Sequence, residues 1–212
     1  THTRRADHDA LAVAFYVVLP LQYLLVWLHV PIFATLLIPV YCFLLLPVVT
    51  VFKGEVAGFL TRVSETQWGL MVCVYCVSHI PAILQLQIPG YRYSSFTLVA
   101  WLILVVQASD VLQYVWGKSL GRHKLAPRVS PSKTVEGLAG GMLSASLLGM
   151  ALAPITPFGW WQAGLVALVV TTFGFFGGLI MSAIKRDRGV KDWGTLVQGH
   201  GGILDRLDSL VF

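Results

Sequence analysis

The chain has 212 residues, of which 56% are hydrophobic and 12% charged, and its formal net charge is +5. Soluble domains carry about 25% charged residues, so an ordinary water-soluble globule is excluded. A core of this length does not need so much apolar surface, and the excess is expected to face lipid.

Six nearly charge-free runs are each close to the roughly 20 residues a helix needs to cross a bilayer. In chain order they are Ala10–His29, Pro31–Phe52, Trp68–Leu86, Phe96–Trp116, Leu138–Pro157 and Trp160–Ile184. The expected fold class is therefore all-α: a polytopic integral membrane helical bundle of about six transmembrane helices. It reads as a single membrane domain over residues 1–212, with N-terminal spans in 1–95 and a catalytic half in 96–212. The sequence begins at Thr1 and stops at Phe212 just as an apolar run begins. It is read as part of a longer protein, with the start of another helix at its end.

Pro20, Pro39 and Pro47 are expected to kink the first two spans, which lipid-embedded helices tolerate better than soluble ones. The polar stretch from Lys53 to Gln67 fits a short interfacial helix or a plain loop. Cys73 and Cys76 are spaced like half a zinc site, but no second pair follows, so they are read as buried small residues. Gly137 and Gly141, and again Gly174 and Gly178, are four apart, a spacing that lets helix backbones approach closely in lipid.

A net positive charge would suit nucleic acid, but the placement of the charges argues against that partner. Of the 15 Lys and Arg residues, Arg92 alone falls between the third and fourth spans. All the others precede the first span or follow the second, fourth and sixth. This is the positive-inside pattern, with the N-terminus and both large loops cytoplasmic. Polar chemistry is thus concentrated on one face, at the lipid boundary.

Asp110 lies inside the fourth span, toward its cytoplasmic end. A carboxylate near a helix centre costs about 2.5–3.5 kcal/mol on insertion scales, so Asp110 must find a partner or a function. A structural hydrogen bond or an ion pair with a loop lysine is the bland alternative. Next comes "GKSLGRHKLAPRVSPSKTVEG", which brings together Lys118, Lys124, Lys133, Ser130, Ser132 and Thr134. Ammonium groups, hydroxyls and glycine-freed backbone N–H groups suit a polyphosphate. The GxxxxGK[ST] spacing of a Walker A loop is absent, and a basic loop beside spans also suits anionic lipid headgroups. Glu136 sits at the mouth of the fifth span, where it can cap the helix or orient Lys133.

The last stretch, "KRDRGVKDWGTLVQGHGGILDRLDSLVF", is the most informative. Asp205 and Asp208 are three apart, so a helix puts both on one face. Two adjacent carboxylates repel unless a proton or cation sits between them. Mg²⁺, a hard cation usually shared with substrate phosphates, suits them. Gly201 and Gly202 can aim N–H groups at an anion, and His200 can donate to a phosphate. Lys185, Arg186, Lys191 and Asp192 complete the cluster. The residues alone point to Mg²⁺-dependent phosphate chemistry at a membrane.

The stretch from Ser182 to Asp208 resembles the signature of the phosphatidate cytidylyltransferases, or CDP-diacylglycerol synthases. The matching positions are Ser182, Lys185, Arg186, Lys191, Asp192, His200, Gly201, Gly202, Asp205, Arg206 and Asp208. The Gly117–Gly137 loop is similar to the family's other shared stretch, and Asp110 falls where the family carries an aspartate. The chain also departs from the main branch. Gly178 stands where an aspartate is frequent, and Gln198 where proline is usual, so it resembles a divergent branch. The missing aspartate leaves open whether one cation or two is bound.

The resemblance implies condensation of CTP with phosphatidate to give CDP-diacylglycerol and pyrophosphate. Asp205 and Asp208 would hold Mg²⁺, with Asp110 as a further ligand. Lys133, Lys185, Arg186 and Lys191 would hold the triphosphate, and Asp192 would ligate or orient. It also implies a bacterial inner membrane with the site facing the cytoplasm, and leaves room for a homodimer. Two rivals stay open. One is a CTP-dependent lipid or polyprenol kinase, or a cytidylyltransferase for another lipid phosphate. The other is an ion-coupled transporter. A catalytically inactive relative of the family is a further alternative.

Overall fold

A computed structural model of the chain describes residues 8–52, 54, 56–190, 192–194, 209 and 210. The chain divides into two compact units, Thr1–Gln85 and Leu86–Phe212.

The first unit holds three apolar helices, α1 (Asp9–Trp27), α2 (Pro31–Val51) and α3 (Phe59–Leu84), each long enough to cross a bilayer. Helix α3 starts well before Trp68. Residues 59–67, part of the stretch read as an interfacial helix or a loop, are its first turns. Ala14, Val18, Ile38, Cys42, Leu46, Leu70 and Val74 form the unit's core. Many of the larger apolar side chains, such as Phe15, Tyr16, Phe43 and Leu44, point outward as a lipid-facing surface does. Cys73 is also exposed and Cys76 only half-buried. The expectation that both are buried is corrected, because the small-residue core of α3 uses Val72 and Val74 instead.

Each of the three helices loosens into a π-helical stretch: Ala14–Val18, Leu37–Cys42 and Met71–Cys76. Two buried glutamines answer for carbonyls in α2. Gln22 Nε2 donates to the Ala34 carbonyl at 2.9 Å, and Gln67 Nε2 donates to the Cys42 carbonyl at 2.7 Å. Each carbonyl lies in the turn ahead of a proline, Pro39 or Pro47, whose missing N–H interrupts the helix ladder. In lipid no water can take that place. Gln22 Nε2 also reaches Ser78 Oγ at 3.0 Å, tying α1 to α3.

The second unit contains α4 (Ser95–Leu120), α5 (Val135–Ala151) and α6 (Trp160–Asp187). Helices α4 and α6 are long and apolar enough to span a membrane, while α5 has 17 residues. So the described residues contain five helices of spanning length and a shorter apolar sixth. Helix α5 packs along both α4 and α6. Its buried small residues Gly137, Gly141, Ala145 and Gly149 form one stripe. A Cβ on Gly137 would lie 2.7 Å from the Gln113 carbonyl oxygen and 3.0 Å from Gly117 Cα, so only glycine allows α4 and α5 to meet there. Trp101, Val105, Ala145, Ala163 and Ala167 fill the core on the far side of this contact.

Between α4 and α5 the basic loop folds into an antiparallel hairpin of β1 (Lys124–Ala126) and β2 (Ser130–Thr134). The turn closes with Val129 N–H donating to the Ala126 carbonyl at 3.1 Å. Pro127 stands at its second position, where a fixed φ suits a β-turn. No strand is expected from the sequence, so this hairpin is an addition to the helical bundle.

Candidate functional site

Strand β2 runs directly into α5, and its last residue, Thr134, caps that helix by accepting from Gly137 N–H at 3.1 Å. The cap anchors Ser132 and Lys133 at the place where α4, α5 and α6 come together. A cavity of roughly 260 Å³ opens there. Asp110 and Gln113 face it from α4, Ser132 and Lys133 from β2, and Phe175 and Ser182 from α6.

Lys133 is the cavity's half-buried cation. Its Nζ donates to the Phe175 carbonyl at 3.3 Å and lies 4.5 Å from the centre of the Phe175 ring. Gly178 makes room for it, since a Cβ there would stand 3.2 Å from Lys133 Nζ. Gly174, four residues earlier, faces the backbone of Ser209, whose carbonyl oxygen would be 2.7 Å from an added Cβ. Gly178 thus clears space in the cavity, while Gly174 lets the Ser209 backbone approach α6 closely.

Asp110 feels the positive charge of Lys133 across the cavity. The Ser209 hydroxyl is next to the Asp110 carboxyl but short of full hydrogen-bond geometry. That hydroxyl is buried, with no partner among the described residues. Ser182 donates to the Gly178 carbonyl at 2.7 Å, which leaves its oxygen lone pairs toward the cavity. Gln113 donates to Ser109 at 2.8 Å.

Asp110, Ser132, Lys133, Thr134 and Ser182 thus line one space. Lys118 does not line it but stands 5.9 Å from the ring centre of Tyr114, which does. Lys124 pairs with Thr134 at the open end of the hairpin and Ser130 with Ala126 beside its turn, and neither lines the cavity. Lys185 and Arg186 occupy the last turn of α6, one turn beyond Ser182, where the helix C-terminus favours cations. Asp192 is exposed. Lys191, His200, Gly201, Gly202, Asp205, Arg206 and Asp208 lie outside the described residues. Gln113, Phe175 and Ser209 are cavity residues that the sequence reading does not single out. Of these, Gln113 had a signal, being three residues from Asp110 and so on its face of α4.

Glu136 does not cap its own helix, since Thr134 does so. It reaches back instead to residues 122 and 123. His123 Nδ1 donates to Glu136 Oε1 at 2.6 Å, and the backbone N–H groups of Arg122 and His123 donate to the same carboxylate at 3.1 and 3.2 Å. The His123 bond, with the backbone donors, holds the Glu136 carboxyl down at about 2.

The arrangement suits a phosphorylated ligand: a held ammonium and several hydroxyls at the rim of apolar helices. It also presents hard oxygen donors of the kind Mg²⁺ takes, from Asp110, Ser182 and the unpartnered Ser209. These fit a divalent cation in kind. In number they fall short, since the described residues contain no group of three or more His, Cys, Asp or Glu placed to hold a metal.

A family model described as "Cytidylyltransferase family" matches residues 1–212. Uncharacterized protein YnbB of Escherichia coli (strain K12) is 42% identical over 195 residues, covering 92% of this chain and 65% of that protein. Phosphatidate cytidylyltransferases from Staphylococcus saprophyticus and Staphylococcus epidermidis are 33% and 35% identical, over 156 and 162 residues. Both matches cover 72% of this chain and 60% of the staphylococcal protein. The chain therefore spans less than two thirds of the length of the curated relatives it matches.

Proposed function

This chain belongs to the cytidylyltransferase family, and on that premise we propose that it serves a membrane-embedded nucleotidyltransferase condensing CTP with phosphatidate. The observation that best supports this reading is the held Lys133, set among hydroxyls and Asp110 in a cavity at the end of lipid-spanning helices. A phosphate headgroup whose acyl chains stay in the bilayer needs a polar pocket at that depth.

In the proposed reaction a phosphate oxygen of phosphatidate attacks the α-phosphorus of CTP. A new P–O bond forms, the bond to the β-phosphate breaks, and pyrophosphate leaves with the electron pair. The nucleophile is already anionic, so no strong base is required. The barrier lies in bringing two polyanions together and in the charge that builds on the leaving group. Lys133 binds the triphosphate and offsets that charge, a role shared in this proposal with Lys185, Arg186 and Lys191. Ser132, Thr134 and Ser182 orient the phosphates through their hydroxyls. Mg²⁺ would be held by Asp205, Asp208 and Asp110, and when bound it would neutralise phosphate charge. The charge asymmetry of the loops supports a site on the cytoplasmic face, and the family resemblance supports a bacterial inner membrane.

The test is to incubate the purified protein with labelled CTP, Mg²⁺ and a panel of lipid phosphates. The expected result is CMP added to phosphatidate with release of pyrophosphate. Transfer of the γ-phosphate would make the protein a kinase. Ion flux in vesicles without CTP consumption would make it a transporter.

A further inference from the structure

Two ties fix the hairpin at its open end. The Glu136 carboxylate gathers three donors from residues 122 and 123, while the His123 carbonyl accepts from Val135 N–H at 3.0 Å. His123 is thereby gripped from both sides by the first two residues of α5. The next residue, Lys124, pairs with Thr134 across the ladder. Ser132 and Lys133 follow two and one positions before Thr134, so the register of β1 against β2 decides where they point. A one-residue slip in an extended strand would turn Lys133 to the opposite face.

We propose that Glu136 is a positioning residue for nucleotidyl transfer, clamping residues 122 and 123 so that β2 presents Ser132 and Lys133 to the cavity. This rests on the reading given above. Glu136 does not line the cavity, and it acts through His123 and the strand register.

Position and charge make opposite forecasts. If Glu136 acted only as a negative charge beside a basic loop, its removal would strengthen binding of an anion. If it acts as a clamp, its removal weakens that binding. The experiment compares Glu136→Ala, Glu136→Gln and His123→Ala in the full chain. It measures KM for CTP, kcat, and trypsin cleavage after the exposed Arg122, Lys124 and Arg128 in detergent, mapped by mass spectrometry. Loss of hydrogen bonds to a charged acceptor is expected to raise KM for CTP about tenfold in Glu136→Ala, with kcat within about twofold. Cleavage in the hairpin speeds up in parallel. Glu136→Gln keeps an oxygen acceptor for the backbone donors and recovers most of both effects. His123→Ala loses only the ring donor and falls between.

A KM in Glu136→Ala equal to or below that of the unchanged chain overturns the proposal. So does hairpin cleavage no faster than in the unchanged chain. If the unchanged chain transfers no CMP, the functional reading fails, while the cleavage comparison still decides the clamp.

Discussion

Lys133 is held by a single residue of α6 in two ways: its ammonium lies 4.5 Å from the centre of the Phe175 ring and donates to the Phe175 carbonyl at 3.3 Å. A cation–π contact contributes about 0.5–2 kcal/mol. Phe175→Leu keeps the backbone acceptor and removes the aromatic face. Apparent affinity for CTP is expected to fall about fivefold, read from the CTP dependence of pyrophosphate release. An unchanged dependence would show that the ring does not position the lysine.

Asp208→Asn removes one of the three carboxylates assigned to Mg²⁺ while keeping size and shape. CMP transfer to phosphatidate is expected to disappear, with membrane insertion and unfolding temperature preserved. Both are measurable on the same detergent-purified sample. Full transfer in this variant would remove the metal assignment from the last stretch of the chain.

The α4–α5 contact tolerates no side chain at position 137. Gly137→Ala places a methyl group 2.7 Å from a backbone oxygen and 3.0 Å from a backbone carbon, neither of which can move by itself. Overpacking of this kind costs about 1–3 kcal/mol. Thermal unfolding in detergent should show it as a lowered midpoint. A midpoint equal to that of the unchanged chain would mean the two helices are not packed at this distance.

The clamp at the hairpin depends on pH with a definite sign. Hydrogen bonding to His123 and to the backbone holds the Glu136 carboxyl at about 2, below its usual 4.5. A depressed carboxyl contributes fully above its unfolded value and loses that contribution as pH falls through the folded one. Protection of the Arg122 and His123 amides from hydrogen exchange should therefore persist at pH 3 and fade toward pH 2. Loss of protection already between pH 5 and 4 would contradict the assigned partners.

Gln67→Leu keeps the volume of a buried side chain but removes the bond that ties α3 to the Cys42 carbonyl of α2. Side-chain hydrogen bonds between membrane helices contribute about 0.6–2 kcal/mol, and a lowered unfolding midpoint of that order is expected. Gln22→Leu should cost less than the loss of its two bonds suggests. Its Oε1 is buried without a partner among the described residues, and the substitution removes that unsatisfied group as well.

The spans were legible because a run such as Phe96–Trp116 has one carboxylate in an otherwise uncharged stretch, and lipid enforces that contrast strongly. The start of α3 was hidden because Arg62 and Glu65 break the apolar run without breaking the helix. The π-helical stretches left no local signature in the apolar runs that carry them. Asp110 drew attention as a carboxylate within a span, Lys133 as part of a basic, hydroxyl-rich loop, and Ser182 through the family resemblance. Phe175 did not, because an aromatic residue in an apolar helix looks like lipid-facing surface until a lysine from another element is found against it. Gly178 reads from the sequence as a lost aspartate, and the structure adds that its missing side chain leaves the space Lys133 uses.

Pro47 and Gln67 are twenty residues apart, and the Gln67 amide joins α3 to the Cys42 carbonyl of α2, five residues before that proline. That joint rests on one amide hidden from lipid, so the grip between these two spans can be loosened at a single interior position while their outer surface stays as it is.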